Sequence, residues 1–145
     1  MPLQLYDLDR RAHDLVLAAR NSEDQTTEKV LNEAHKMRAT VAYGLERFWG
    51  EHIRLLRDSQ AKSNFWKQTW DELASILCMI SNIQLPNNTI GANDINGIRI
   101  ATDQLWDTLS NEDRKLAQAV LTQLCDSIVW WTQRYKKVGN RDDDD

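Results

Sequence analysis

Ser63-Asn64-Phe65-Trp66-Lys67-Gln68-Thr69-Trp70-Asp71-Glu72-Leu73-Ala74-Ser75-Ile76-Leu77-Cys78-Met79-Ile80-Ser81-Asn82 is the stretch on which the fold turns. At about 100° per residue, Phe65, Trp66, Trp70, Leu73, Ile76, Leu77, Met79 and Ile80 spread over most of a helical circumference instead of one face. A helix so apolar needs neighbours on most of its sides. The pattern predicts a central helix over about residues 63–82, inside a bundle. Its apolar run from Leu73 to Ile80, broken by Ser75, is far short of the roughly 18–20 residues that cross a bilayer.

The flanking sequence supplies the neighbours. No proline lies between Leu3 and Leu85, and no window sustains strand-like alternation. Leu5, Leu8, Ala12, Leu15, Val16 and Ala19 share one side of a first helix over about residues 5–20. Asn21 to Gln25 reads as a stop and a new start, with Ser22 and Gln25 at capping-box spacing. Val30, Ala34, Met37, Val41, Leu45, Phe48, Leu55 and Leu56 form the apolar face of a long second helix, about residues 24–60. Gln84 to Asn93 is dense in turn formers and predicts a loop. A helix over about residues 94–109 turns Ile95, Ile98, Leu105, Trp106 and Leu109 inward. Ser110 to Asp113 resembles a capping box opening a last helix, about residues 112–138, with Leu116, Val120, Leu121, Leu124, Ile128, Trp131 and Tyr135 on the core stripe. The expected fold is all-α: a single bundle of about five helices with short loops over residues 1–138, then an acidic tail at 139–145, expected to be disordered.

The 145 residues hold 18 Lys plus Arg against 22 Asp plus Glu, a formal charge of −4. That excess is the closing run Asp142 to Asp145, and the remainder balances 18 against 18. The charges are segregated. Residues 29–67 carry eight bases and four acids, and residues 68–133 carry three bases and eight acids. Arg134, Lys136, Lys137 and Arg141 make a second basic stretch. Local fields follow such patches rather than the total. Met1-Pro2-Leu3-Gln4-Leu5 lacks the basic-then-apolar start of a secretory signal. Cys78 and Cys125, in apolar helical surroundings, read as free buried thiols, and the cytoplasm is the expected compartment.

Most site chemistries are missing. His13, His35 and His52 form no i,i+4 pair, there is no Cys-x-x-Cys, and the five glycines are scattered, so no metal or cofactor is expected. Asp9 and His13 are spaced as a surface pair, and Asp103 and Asp107 as solvated acids. Arg47-Phe48-Trp49-Gly50-Glu51-His52 resembles the Arg-x4-His signature of HEPN ribonucleases, which cleave RNA without metal at a site shared by two subunits. Those proteins usually carry Asn, Asp or His after the arginine, where this chain has Phe48. His52 falls on the apolar face and Arg47 opposite it, so a core-edge histidine plus a surface arginine is the competing reading.

Lys29, Lys36, Arg47 and Arg54 fall within about 20° of one another on the wheel of the second helix, a line of about 37 Å opposite its apolar face. Such a line can track a nucleic-acid backbone. It can equally be an ordinary solvated face with pairs such as Glu33–Lys29 and Arg47–Glu51. Trp130 lies off the core stripe, near Arg134 and Lys137. It can stack a base, anchor another subunit, or be covered by Arg134 as a cation–π pair. Arg38 sits on the apolar face and requires a partner.

The closing stretch Leu124-Cys125-Asp126-Ser127-Ile128-Val129-Trp130-Trp131-Thr132-Gln133-Arg134-Tyr135-Lys136-Lys137 resembles the C-terminal end of the large subunit of type I-D CRISPR effector complexes. The whole resembles the small subunit of such complexes, which in type I-D systems arises from an internal start within the large-subunit gene; Met1-Pro2-Leu3 would suit that origin. The resemblance implies a non-catalytic protein present in several copies. It would contact guide RNA, target DNA and other effector subunits, and no membrane. Carried to this chain, the nucleic-acid-facing residues would be Lys29, Lys36, Arg47, Arg54, Trp130, Arg134 and Lys137. The alternatives are the metal-independent ribonuclease and a helical adaptor that binds protein only.

Overall fold

The computed structural model describes residues 5–136. Among the described residues there are six α-helices and no strand: α1 (Leu5–Gln25), α2 (Glu33–Thr40), α3 (Leu45–Leu55), α4 (Gln60–Ser81), α5 (Ile95–Thr108) and α6 (Asn111–Tyr135). Short 3-10 turns at Val30–Asn32 and Val41–Tyr43 flank α2. No helix among the described residues is long and apolar enough to cross a membrane. The tail at 139–145 lies outside the described residues.

Helix α4 is the centre, as its sequence predicts. Ser59 opens it by accepting the Lys62 N–H at 3.1 Å, and Asn82, in the left-handed region at φ 54°, closes it. Helices α1, α2, α3 and α6 all pack on it. Phe65, Trp66, Trp70, Leu73, Ile76 and Leu77 are buried, and the Phe48 ring of α3 lies 4.9 Å from that of Trp66. A buried indole N–H needs an acceptor. Trp66 Nε1 donates to Glu33 Oε1 at 2.9 Å, and Trp70 Nε1 donates to the Pro86 carbonyl at 2.7 Å. The first bond ties α2 to α4. The second ties down the loop before α5. Only the end of α4 departs from expectation, for Cys78 and Met79 are exposed.

The expected single helix from residue 24 to 60 is three pieces. Helix α1 runs through Ser22 to Gln25, so Ser22 is no cap there. The capping is done by Glu23, whose buried carboxylate accepts the Leu31 N–H at 2.8 Å across the turn. The break between α2 and α3 comes at Gly44, whose φ of 106° and ψ of 165° cannot continue a helix. Glycine reaches that region without the Cβ clash other residues suffer. A straight basic line along residues 29–54 therefore does not exist.

Helix α6 keeps its predicted stripe, with Val120, Leu121, Leu124 and Ile128 buried and Leu116, Trp131 and Tyr135 half-buried against the core. It opens with the Ser110 hydroxyl accepting the Asp113 N–H at 3.0 Å. Against α1 it is fastened by polar contacts. Trp131 Nε1 donates to Asp9 at 2.9 Å, and the Tyr135 hydroxyl meets His13 Nε2 at 2.6 Å. Asp9 and His13 thus turn to α6 instead of pairing with each other.

Helix α5 packs chiefly against α3. Ala101 and Leu105 are its buried residues, while Ile95, Ile100 and Trp106 are 80%, 52% and 59% exposed. Ile95 and Trp106 were expected inward. The packed side of α5 is narrow because one neighbouring helix covers it, and Trp106 lies about 100° round from Leu105.

Replacing Trp66 by Phe keeps the ring packing but strands the Glu33 carboxylate without its buried donor. A loss of about 1–3 kcal/mol in urea-unfolding free energy is expected. Trp106→Phe, on the open side of α5, should change stability by less than about 0.5 kcal/mol in the same measurement.

Candidate nucleic-acid interface

The residues of the proposed basic track fall on separate elements. Lys29 is half-buried at the entry to the first 3-10 turn. Lys36 lies on α2, exposed, with its ammonium 3.2 Å from Glu33 Oε2. Arg47 and Arg54 lie on the outer face of α3, two turns apart. Arg54 is held by Glu51 at 3.0 Å and lies 3.7 Å from Asp58, and its hydrogen bonds to Glu51 raise its pKa above the ordinary value. The expected Arg47–Glu51 pair is replaced by Arg54–Glu51. Arg47 is exposed and forms no ion pair among the described residues.

Carboxylates therefore share much of the charge in the basic segment. Within that segment Lys67 also pairs with Asp71, and elsewhere Arg11 pairs with Glu72 and Asp7, Arg20 with Asp24, and Arg114 with Glu46. These pairs, most of them partly buried, reduce the local positive field. Arg38 finds its partner within the chain, its Nε 2.5 Å from Asp126 Oδ1 of α6.

The second patch is also of mixed sign. The Arg134 guanidinium carbon lies 3.6 Å from the Trp130 ring centroid, and its Nη1 donates to the Trp130 carbonyl at 3.2 Å. The local cation–π pair, one of the three readings of Trp130, is formed within the chain. The ring is still half-exposed. It borders a shallow groove between α1 and α6 lined by Asp9, Asp126, Ser127, Trp130 and Trp131. Two carboxylates in that groove oppose a phosphate. Lys137 lies outside the described residues.

No family model, curated protein or solved structure matches this chain. Its chemistry has to be read from its own side chains.

Arg47 and His52, the pair of the Arg-x4-His pattern, do not present one surface. Arg47 points to solvent, whereas His52 is buried at 4% exposure, its Nδ1 donating to the Trp49 carbonyl at 2.5 Å. Nε2 of His52 and Nε1 of Trp49 are buried without a partner among the described residues. Burial pushes the His52 pKa below its ordinary value, opposed by the Trp49 carbonyl bond and reinforced by Lys67. The same helix thus sets one residue of the pattern on the surface and the other in the core. Among the described residues no group of three or more His, Cys, Asp or Glu could hold a metal ion.

What sequence reasoning missed is Trp106. It is more exposed than Trp130 and, unlike Trp130, has no ring, cation or hydrogen-bond partner among the described residues. The signal was present: Ile98, Ala101 and Leu105 define a narrow stripe from which Trp106 is offset.

Two measurements check this environment. His52 is harder to protonate folded than unfolded, so stability holds above the unfolded-state pKa of about 6.5 and declines as pH falls below it. Between pH 7.5 and 5.5 the melting temperature of the parent should fall more than that of His52→Asn. Burial raises the Cys125 thiol to about 12, whereas Cys78 is exposed. Against the expectation that both thiols are buried, native protein should react rapidly with a thiol reagent at Cys78 alone. Cys78→Ser should abolish that fast phase, and Cys125 should react only on unfolding.

Proposed function

We propose that this chain is a non-catalytic helical subunit of a nucleoprotein assembly, of the kind its closing helix resembles: the small subunit of an RNA-guided CRISPR surveillance complex. In that reading several copies contact the backbone of the guide–target duplex or the displaced DNA strand, without sequence specificity. The observation that carries the nucleic-acid contact is Arg47, an exposed, outward guanidinium on α3 with no ion pair among the described residues. Arg54, held by Glu51 two turns further along the same face, and Lys36 on α2 leave part of their donor capacity in solvent at 56% and 64% side-chain exposure. Trp130, Arg134 and Lys137 would be peripheral contacts. Because carboxylates share the charge of Lys36 and Arg54, the isolated subunit binds weakly and depends on its neighbours in the assembly for affinity.

A protein-only adaptor is the second reading. It is favoured by the bare apolar side chains of α5 together with the ion-paired surface. The two readings part in a titration with duplex and single-stranded DNA. Nucleic-acid contact at two or three phosphates gives a log–log salt slope of about −1 to −3. Arg47→Glu combined with Arg54→Glu should lower that affinity at least about tenfold at low salt with helicity unchanged. Binding indifferent to both salt and these substitutions would remove the nucleic-acid role and leave the adaptor.

A further inference from the structure

We infer that the open side of α5 is a docking surface for a basic amphipathic helix of a partner protein. Three of the chain's exposed large apolar side chains, Ile95, Ile100 and Trp106, lie on this one helix of 14 residues. Their arrangement is specific. On the helical wheel Ile95 and Trp106 fall within about 20° of each other and Ile100 about 120° further round, with Asp103 and Asp107 between them. The surface is therefore an acidic ridge with Ile95 and Trp106 along one side and Ile100 on the other.

The charges are disposed to receive cations. Arg99 neutralises Asp103 in part, at 3.3 Å, and also donates to Asn96 at 2.9 Å. Asp107 and Glu112 are exposed and form no ion pair among the described residues. The nearby Arg114 is turned inward to Glu46 and the Leu105 carbonyl, which leaves Lys115 as the further exposed cation at the start of α6. A nucleic-acid backbone or an anionic lipid surface would face Asp107 and Glu112 as like charges. A helix presenting lysine or arginine between apolar residues matches both the ridge and the apolar side chains beside it. Exposed tryptophan beside acidic groups supplies the usual anchor of such contacts, through apolar burial and cation–π attraction.

This surface is distinct from the α3 face and stands whether or not that face meets nucleic acid. Its test uses the full chain and a labelled lysine–leucine helical peptide of α5's length, with a glutamate–leucine peptide of the same pattern as control, read by fluorescence anisotropy. Binding of the lysine peptide alone is expected. Trp106→Ala should weaken it about tenfold or more, and so should Asp103→Lys with Asp107→Lys. Arg47→Glu, and Met79→Ala at an equally exposed apolar site, should leave it unchanged. Should Trp106→Ala lose helicity by circular dichroism, Ile95→Ala replaces it, since Ile95 is 80% exposed. Equal binding of both peptides, or binding that these α5 substitutions do not alter, overturns the proposal. So does self-association, or capture by phosphatidylserine vesicles, that Trp106→Ala abolishes while the peptide fails to bind.

Discussion

Burying two indoles of one helix on opposite errands organises this molecule. Helix α4 is apolar round most of its circumference, so it is stable only where other helices cover it. That burial takes the Trp66 and Trp70 N–H groups out of water, and each must then meet an acceptor inside the protein. Trp66 meets the buried Glu33, and Trp70 the Pro86 carbonyl. The first contact fixes α2 over α4. The second pulls the Gln84–Asn93 segment back over the core, where Ile83, Leu85 and Ile90 are buried. The course of the chain on either side of α4 follows from these two bonds and the apolar area around them.

The same segment shapes the surface. Because Glu33 is drawn inward by Trp66, it meets Lys36 with its second oxygen at the outer face. Breaking the chain at Gly44 then separates Lys36 from Arg47 and Arg54, which a continuous helix would have aligned. The basic segment is thereby divided into a compensated part on α2 and an outward part on α3. Arg47 keeps its charge in solvent because Glu51, one turn along, is engaged by Arg54. The acidic half of the chain ends in a different arrangement. Helix α5, covered by α3 and bordered by the loop at residues 86–90, leaves apolar side chains on both sides of its aspartates.

Individual residues mark where sequence patterns were readable. Ser110 caps α6 at the spacing the sequence offers, whereas Ser59 caps α4 where a continuing helix was expected, and Asp94 caps α5 at a position not singled out. The α6 stripe was legible because its period is sustained over seven apolar positions. The α2–α3 break was marked only by Gly44 after Thr40 and Val41, within an apolar period that runs past the break undisturbed. Ser22 and Gln25 had capping spacing but lay inside α1, and the buried Glu23 did the capping from the opposite direction. Trp106 was misplaced because an apolar residue near a stripe was assigned to it without regard to how many neighbours α5 has.

The sequence by itself determined the helical class, the central place of α4, the Ser110 cap of α6 and the segregation of charge along the chain. These depend on residue spacing at short range, where a 3.6-residue period and a side chain's reach to the next turn decide the outcome. Only the tertiary structure decided which cations keep a free charge, why Arg38 meets Asp126, and how Arg134 covers Trp130. Each of those depends on which surfaces close on one another, and on how many neighbours a helix acquires. No periodicity along a single helix encodes that count.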